Sequence, residues 1–490
     1  MKQYILGFDQ STSTTKALLF EQDGSLVDRV DVPHRQLINE KGWVEHDANE
    51  ILSNLFKAAE MLLAQSTIEK SLIKAVSISN QRETSIAWQR SDGKPLYNAI
   101  VWQCGRAKDI CESLADSKEI IHAHTGLHLS PYFSAAKFAW MLKHVKAVEK
   151  AAEEEELVLS TLDSFLLYHL SDEKIIATEF SNASRTQLLN LKSLGWDAEI
   201  ASLFGIPLSS LPKVCDSNAI FGQTTLGGLL DARVPLCGVL GDSQGALFAQ
   251  GCLSEGMTKA TYGTGSSIMM NIGEQPVWCS DLVTSLAWSL EGKPTYVLEG
   301  NINYSGATIS YLVDELGLIA SSKEAGTLAK SARQVEGLYL VPAFSGLGAP
   351  YWDANARALI VGMDRRTGKA ELVKAAEESI AYQIADIVFL MQKHSHRDII
   401  SLRVDGGPTN DSFLMQFQAD MLQSEVRVAA LEELSGQGPA LLAAMKLGLL
   451  DGQTAFNRQP KALYHASMNR ADRDKLYQGW QKAVCKALSC

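Results

Sequence analysis

Two turns rich in glycine and hydroxyl side chains, half a chain apart, constrain the fold more than any other feature of this sequence. Residues 9–15 (DQSTSTT) separate two apolar runs, and residues 263–267 (GTGSS) separate another two. An apolar run, a polar turn and a second apolar run form the pattern of a β-hairpin. Because the arrangement recurs, the sequence predicts two related lobes. We place their boundary near residue 247, which gives a first lobe of residues 1–247 and a second lobe of residues 248–490.

The remainder of the chain alternates between strand and helix patterns. Residues 73–78 have a strand pattern, and residues 371–392 have the pattern of an amphipathic helix, so we expect an α/β protein. Asp47 followed by Glu50 predicts a capping box at the start of a helix that runs toward Leu63. A length of 490 residues suits two large domains.

Composition and charge exclude several classes of protein. With 46% hydrophobic and 21% charged residues the chain is too apolar for disorder, and it has no apolar stretch long enough to span a bilayer. The opening MKQYILGFDQ lacks the apolar core and cleavage site of a secretory signal, so we expect a cytoplasmic protein. A net charge of −11 without a basic stripe disfavours nucleic acid as a partner.

The cysteines and histidines do not form a metal-binding pattern. The eight cysteines are scattered without a CxxC pair, which predicts reduced thiols. His122, His124 and His128 are close in sequence but have no carboxylate or thiolate partner beside them. We therefore interpret them as ordinary imidazoles rather than as a zinc site.

The two hairpin turns have the composition of a phosphate-binding site. Phosphates bind to backbone N–H groups and small hydroxyl side chains, and both turns supply these groups. Asp9, at the end of the first strand, could hold Mg²⁺ through water. A third turn, Gly406-Gly407, follows a strand pattern and could lie against an adenine or a ribose. One such turn alone would be better explained as an ordinary hairpin, but three are harder to explain in that way.

Polar residues after the strand of residues 75–79 indicate a substrate site. An α/β sheet binds ligands at the carboxyl ends of its strands, and Arg82 and Glu83 follow this one. A guanidinium donates to hydroxyl oxygens and a carboxylate accepts from hydroxyl hydrogens, so the pair suits a polyol. Trp102 could form an apolar wall of the same site. A surface ion pair and a core tryptophan are the alternatives.

Asp242 is the strongest candidate for a catalytic group. It follows a long apolar strand of residues 234–240 and lies within residues 241–245, which have the pattern of a loop. This location at a strand end, beside the predicted lobe boundary, suits a general base that takes a proton from an attacking hydroxyl. Its loss should reduce turnover more than substrate binding.

Longer motifs give the chain a resemblance to the FGGY family of carbohydrate kinases, closest to the glycerol kinase branch. Residues 132–144 fit the first family signature, and residues 358–378 fit the second except at Glu377. The resemblance implies two RNase H-like lobes, as in actin and hexokinase, with MgATP and a small polyol or sugar in the cleft between them. It assigns substrate contacts to Arg82, Glu83, Trp102, Tyr132 and Asp242, and phosphate or nucleotide contacts to Asp9, Thr12, Ser13, Thr264, Gly265, Gly306, Gly406 and Gly407.

Two departures from glycerol kinase bear on the substrate. Ser243 stands where that branch has a glutamine, and Ser267 stands where it has an aromatic residue. Both changes shorten side chains that would close around a three-carbon substrate. We therefore expect a wider pocket that favours a four- or five-carbon polyol or ketose such as erythritol or xylulose, with glycerol as the alternative. On the nucleotide side, Asp411 stands where an asparagine often contacts the base.

Two alternative functions have the same fold. An actin-like ATP switch would move its lobes without phosphorylating a small molecule, and a sugar sensor would keep the pocket without catalysis. The Arg82-Glu83 pair, Trp102 and Asp242 argue against the switch, because a switch needs no polyol site. The intact Asp9 and Asp242 argue against the sensor. The family also leads us to expect a homo-oligomer, either a dimer or a tetramer.

Overall fold

The structure is a computed structural model that describes residues 2–431, 433–452, 455–456 and 458–489. Its strands are β1 (Tyr4–Gln10), β2 (Thr14–Glu21), β3 (Leu26–Pro33), β4 (Leu37–Ile38), β5 (Val44–His46), β6 (Ile73–Asn80), β7 (Ser85–Gln89), β8 (Ala99–Ile100), β9 (Leu157–Thr161), β10 (Ala177–Glu179), β11 (Lys213–Cys215), β12 (Ile220–Thr224), β13 (Val234–Gly241), β14 (Met257–Tyr262), β15 (Ser266–Gly273), β16 (Val283–Leu290), β17 (Lys293–Ile302), β18 (Tyr339–Val341), β19 (Leu359–Val361), β20 (Ser401–Asp405), β21 (Glu425–Val428) and β22 (Ala462–Tyr464). Its helices are α1 (Ala48–Gln65), α2 (Lys108–Ser113), α3 (Lys118–Thr125), α4 (Ser134–His144), α5 (Lys146–Glu153), α6 (Leu162–Leu170), α7 (Phe180–Ala183), α8 (Ala198–Leu203), α9 (Asp242–Ala249), α10 (Gly306–Asp314), α11 (Ala325–Ser331), α12 (Lys369–Ser395), α13 (Ser412–Leu422), α14 (Leu434–Lys446) and α15 (Arg470–Ala487).

The first half of the chain forms a six-stranded sheet in the order β12-β13-β6-β1-β2-β3. Strands β1, β2 and β3 form an antiparallel meander, while β6 and β13 continue the sheet parallel to β1. β1, β6 and β13 are almost wholly buried, as expected of parallel strands with helices on both faces. The predicted hairpin at residues 9–15 is the connection between β1 and β2.

The second half forms a seven-stranded sheet in the order β16-β17-β15-β14-β20-β21-β22. Here β14 and β15 form the antiparallel hairpin, and β20 and β21 continue the sheet parallel to β14. The sequence of strand directions is therefore the same in both sheets, with an antiparallel hairpin followed by two parallel strands. This repetition confirms the prediction of two related α/β units.

A smaller five-stranded sheet, in the order β4-β5-β8-β7-β9, extends the first unit. Trp102 lies two residues after β8 of this sheet. The first family signature begins at Tyr132, and its residues 134–144 form helix α4. Two further pairs, β10-β11 and β18-β19, complete the sheets among the described residues. Short 3-10 turns occupy Lys70–Leu72, Ala115–Ser117, Leu208–Ser210, Ser322–Glu324 and Gly407–Asn410.

Helices α9 and α14 cross closely beside the first sheet. A Cβ atom at Gly438 would lie 2.1 Å from the carbonyl oxygen of Gly245, and a Cβ at Gly245 would lie 2.4 Å from that of Ser435. Glycine at both positions therefore lets the two backbones touch. Helix α14, which lies between β21 and β22 of the second sheet in sequence, packs on β1, β6 and β13 of the first sheet, so the two halves are in direct contact.

The predicted first helix is present, but half of its predicted cap is not. Helix α1 begins at Ala48, and the Asp47 carboxylate accepts a hydrogen bond from the Asn49 backbone N–H at 2.9 Å. The predicted capping box is wrong, because the Glu50 carboxylate accepts a hydrogen bond from Arg35 Nε at 3.2 Å and not from the Asp47 backbone N–H. None of the described helices combines the length and the apolar composition that crossing a bilayer requires.

Candidate active site

The carboxyl ends of β1, β6 and β13 meet at one edge of the first sheet. The strand register places Asp9 opposite Ser79, and Asn80 lies opposite Gly241 on the other side of β6. Asp9 is the next-to-last residue of β1, Arg82 lies two residues beyond β6, and Asp242 lies one residue beyond β13. Three of the residues predicted from sequence are therefore brought together by the sheet alone.

Asp242 is the first residue of helix α9 rather than part of a loop, which corrects the sequence prediction for residues 241–245. The reason is that Gly241 ends β13 in an extended conformation and the chain turns into a helix at once. The Asp242 carboxylate accepts a hydrogen bond from the Ser243 N–H at 2.6 Å. Its side chain is 35% exposed, so it is accessible to solvent and is not packed in the interior.

Arg82 and Glu83 do not form the simple adjacent pair that the sequence indicated. The Arg82 guanidinium binds Glu299 of β17 through two bonds, Nη1 to Oε2 at 2.9 Å and Nη2 to Oε1 at 3.0 Å. Glu83 accepts a bond of 2.5 Å from Arg185 Nε, and Arg185 Nη1 also donates to Glu299 at 3.0 Å. Arg82 Nε lies 4.0 Å from Glu83 Oε1 and is closer to Asp242 Oδ1, at 3.5 Å.

These four buried side chains form a network of two cations and two anions across the two sheets. Each is at most 7% exposed, and an unpaired charge at such a site would be strongly unfavourable. Burial raises the pKa of Glu299, but the charges of Arg185 and Arg82 outweigh it and hold that pKa at about 2. Glu83 also has a positive φ of 61°, an uncommon conformation for a residue other than glycine.

Sequence reasoning missed Arg185 and Glu299. Arg185 carries no sequence signal of its own, because nothing in the residues around it indicates a partner. Glu299 carried a usable signal, since it is a single carboxylate directly after the apolar residues 296–298, within the buried part of β17. A lone charge in a buried strand requires a partner, but only the tertiary structure identifies it as Arg82.

Trp102 and Tyr132 form an aromatic wall beside this network. Their ring centroids are 5.6 Å apart at an angle of 61°. Lys137 of α4 is fully buried, and its Nζ donates to the backbone carbonyl groups of Tyr132 and Phe133. Burial lowers the pKa of Lys137 to about 7 and raises that of Tyr132 above its ordinary value.

The two serines that we expect to widen the pocket, Ser243 and Ser267, are both half-buried. Ser243 follows Asp242 on α9, and Ser267 lies on β15 between Thr261 of β14 and Asn301 of β17. The Ser267 hydroxyl oxygen is buried and has no hydrogen-bond partner among the described residues. Such a group has unused donor and acceptor capacity.

Asp9 has the environment expected of a metal-binding carboxylate. It is 4% exposed, its Oδ1 has no hydrogen-bond partner among the described residues, and its Oδ2 lies 3.6 Å from Lys16 Nζ. Burial raises the pKa of Asp9 to about 6, with the Lys16 charge opposing this effect and the Asp242 charge adding to it. Lys16, which the sequence reading overlooked, faces Asp9 across the hairpin and also binds Glu433 at 2.7 Å.

The tip of the first hairpin is linked to the aromatic wall. Thr12 is half-buried, and its hydroxyl oxygen accepts a hydrogen bond from the Trp102 indole N–H at 3.0 Å. Ser13 is exposed at the tip. The hairpin therefore lies directly beside the residues predicted to bind the substrate.

The second hairpin packs against the start of helix α10. The backbone N–H of Gly306 donates to the Gly263 carbonyl group at 2.9 Å, and the N–H of Ala307 donates to that of Thr264 at 3.1 Å. Gly265 also needs its missing side chain, because a Cβ there would lie 2.4 Å from the carbonyl oxygen of Ile302. The Gly-Thr-Gly tip and a helix N-terminus thus form one surface.

The glycine pair after β20 completes that surface. Gly406 has a φ of 96°, and a Cβ there would lie 1.9 Å from the Tyr262 carbonyl oxygen, so no other residue fits. At Gly407 a Cβ would meet nothing within 4 Å, which leaves open space beside the backbone. Asp411, by contrast, caps helix α13, where its Oδ1 accepts from the N–H of Phe413 at 2.8 Å.

The three neighbouring histidines do not converge on a metal site. His122 and His128 stack at 4.9 Å, while His124 binds Asp197 at 2.8 Å. Among the described residues, one other group has ligand atoms within 4.8 Å of one another, namely Cys279, Asp281 and His394. Groups of this kind are common in proteins without an ion, and we assign no metal there. All seven described cysteines are free, and Cys490 lies outside the described residues.

Comparison with known proteins agrees with this architecture over nearly the whole chain. Residues 4–249 match the N-terminal domain of the FGGY family of carbohydrate kinases, and residues 258–447 match its C-terminal domain. Residue 247, the predicted boundary, lies within α9, and the division there stays a prediction.

Individual relatives point to one branch of that family. Glycerol kinase 1 of Thermotoga maritima is 44% identical over 99% of this chain and 100% of its own length. Glycerol kinase of Alkaliphilus oremlandii is 42% identical over 100% of this chain and 98% of its own length.

Among solved structures, Plasmodium falciparum glycerol kinase with ADP is 32% identical, with a TM-score of 0.94 over 100% of this chain and 99% of that one. Ligand-bound xylulose kinase of Lactobacillus acidophilus, at 22% identity and a TM-score of 0.87 over 99% and 97%, shares the fold. The predicted two-lobed, actin-like kinase fold is confirmed, and the chain belongs to the FGGY family of carbohydrate kinases.

Proposed function

We propose that this protein transfers the terminal phosphoryl group of MgATP to a hydroxyl group of glycerol. The observation that carries the proposal is the convergence of Asp9, Arg82 and Asp242 at one sheet edge, beside an aromatic wall and a hydroxyl-rich hairpin. The relatives named glycerol kinase, at 42% and 44% identity over nearly full length, favour glycerol over the larger substrate that the two serines suggested.

Asp242 acts as the general base in this proposal. Its partly exposed carboxylate accepts the proton of the attacking hydroxyl, and the oxygen then bonds to phosphorus as the bond to the leaving diphosphate breaks. Arg82 and Glu83 hold the other hydroxyls, and Trp102 and Tyr132 pack against the carbon-bound hydrogens. Enclosure of the site by the two lobes excludes water and limits the wasteful hydrolysis of ATP.

Asp9 would hold Mg²⁺ in this site. A buried carboxylate oxygen without a partner fits a hard cation, which binds oxygen ligands and keeps several waters. When bound, the ion neutralises charge on the phosphates. Lys16, at 3.6 Å from Asp9, supplies a second positive charge from the protein itself.

The nucleotide would lie along the second hairpin and its neighbours. Thr12, Ser13, Thr264 and Gly265 offer hydroxyl and N–H donors to the phosphates. Gly306 begins a helix, whose N-terminal dipole favours an anion, and the open space at Gly407 would admit the base or the ribose.

A four- or five-carbon polyol or ketose is the second candidate substrate. It is favoured by the half-buried Ser243 and by the buried Ser267 hydroxyl, which has no partner among the described residues. An additional substrate hydroxyl could bond to Ser267, in space where glycerol kinases carry an aromatic ring. A homo-oligomer, dimer or tetramer, also stays a prediction, and light scattering tests it.

A substrate panel tests the proposal. ADP release with MgATP is measured for glycerol, erythritol and xylulose, with a no-substrate control. We expect polyol-dependent ADP with the highest kcat/KM for glycerol, and a higher value for erythritol or xylulose would select the second candidate. ADP release that is equal with and without every polyol would refute both and would indicate an ATP switch.

A further inference from the structure

The Arg82 guanidinium is held from the second sheet by a carboxylate that no sequence motif singled out. Both terminal nitrogens of Arg82 bind the two oxygens of Glu299, at 2.9 Å and 3.0 Å. Arg82 follows β6 of the first sheet, whereas Glu299 lies on β17 of the second. This two-point contact between planar groups fixes both position and orientation.

Two N–H donors of the Arg82 guanidinium remain available to a ligand. A guanidinium has five N–H donors in a fixed plane. Two bind Glu299, and a second hydrogen on Nη1 binds Gln244 Oε1 at 3.3 Å. The remaining donors are Nε–H and one hydrogen of Nη2, which share one edge of the plane. No described residue accepts a hydrogen bond from Nε, which lies 3.5 Å from Asp242.

We propose that Glu299 is a positioning residue that turns this free edge of Arg82 toward the substrate, where it binds two hydroxyl oxygens on adjacent carbons. The two parallel donors match the oxygens of a vicinal diol. The inference rests on the proposed polyol kinase activity. It adds that correct orientation of Arg82 requires the second lobe to lie against the first.

Removal of the Glu299 charge should weaken polyol binding selectively. In Glu299→Gln the side chain keeps its length but offers one acceptor oxygen in place of two, so Arg82 can rotate. We expect the KM for glycerol to rise about tenfold or more, with kcat and the KM for ATP within about threefold, because the lost contact binds ground state and transition state alike. The inhibition constant of propane-1,3-diol, which has no vicinal pair, should change much less.

A control and a double mutant separate positioning from a general loss of structure. Glu371→Gln makes the same chemical change at another second-lobe carboxylate, which binds Arg333 at 3.1 Å. It should affect thermal stability without affecting the KM for glycerol. In the background of Arg82→Lys, adding Glu299→Gln should raise the KM little further, because the group to be oriented is already absent.

The outcomes are distinguishable. If folded Glu299→Gln has an unchanged KM for glycerol, or if its effect adds fully to that of Arg82→Lys, the inference is wrong while the kinase assignment stands. If the wild-type protein shows no polyol-dependent ADP release, the proposed function itself fails first. If Glu299→Gln does not fold, Glu299→Asp keeps the charge but is too short for the two-point contact, and the same KM test applies to it.

Discussion

Replacing Asp9 by asparagine should make the protein more stable while it inactivates the enzyme. Asp9 is 4% exposed, and burial raises its pKa from the ordinary 3.8 to about 6 despite the nearby Lys16. At 1.36 kcal/mol per pKa unit, this difference makes the ionised carboxylate about 3 kcal/mol less favourable in the folded than in the unfolded chain. Asn has nearly the same shape without the charge. We expect Asp9→Asn to raise the free energy of unfolding by about 1–3 kcal/mol at neutral pH, because the substitution removes the cost of holding an ionised carboxylate in this buried position.

The sign of the pH dependence follows from the direction of this shift. A carboxyl group whose pKa is raised on folding favours the folded state below pH 3.8, and that contribution is lost as the pH rises through 6. The advantage of Asp9→Asn over wild type should therefore be full at pH 7.5 and fall to about half at pH 5.

Thermal unfolding in EDTA without nucleotide measures this difference. A gain of 1 kcal/mol corresponds to about 2–4 °C in Tm for a domain of 150–250 residues, so a rise of several degrees is expected at pH 7.5. With MgATP, kcat should fall about 10²- to 10³-fold, because a preorganised charge at the phosphate is lost. A Tm at or below that of wild type at pH 7.5, or a difference that does not shrink at pH 5, would refute this account of Asp9.

Two further substitutions test the aromatic wall and the pocket. Ser267→Phe should narrow the pocket. We expect the ratio of kcat/KM for glycerol to that for erythritol to rise about tenfold or more, since steric discrimination of this kind amounts to about 1–3 kcal/mol. An unchanged ratio would show that Ser267 does not line the pocket. Lys137→Met should raise the KM for the polyol, because the carbonyl groups of Tyr132 and Phe133 lose their donor, and kinetics at saturating ATP checks this. Burial lowers the pKa of Lys137 to about 7, so wild-type stability should rise between pH 7 and 10 as the lysine deprotonates, and the variant should lack that rise.

Much of the fold could be predicted from local sequence because the signals were local. The two hairpins, the strand before Asp242 and the long amphipathic helix each follow from composition and periodicity within a short window. They appear as β1-β2, β14-β15, β13 and α12. The position of Asp9 and Asp242 at one sheet edge follows as well, because parallel strands align their carboxyl ends.

The partners of the charged residues could not be predicted in the same way. Arg82 and Glu83 are adjacent in sequence, yet their main partners are Glu299 and Arg185, which lie 217 and 102 residues away. Such pairings depend on how the two sheets pack, and no local pattern encodes that. The helix that begins at Asp242 was missed because its first residues, Ser-Gln-Gly, have the composition of a turn.

The central claim is that Asp242 removes the proton from a bound polyol. Polyol-dependent ADP release by wild type and Asp242→Asn, with kcat and the polyol dissociation constant measured separately, tests it most directly. The account predicts a loss of about 10²- to 10⁴-fold in kcat with little change in polyol affinity. A folded Asp242→Asn that keeps more than about a tenth of the wild-type kcat would contradict it, since a general base contributes at least about 10²-fold.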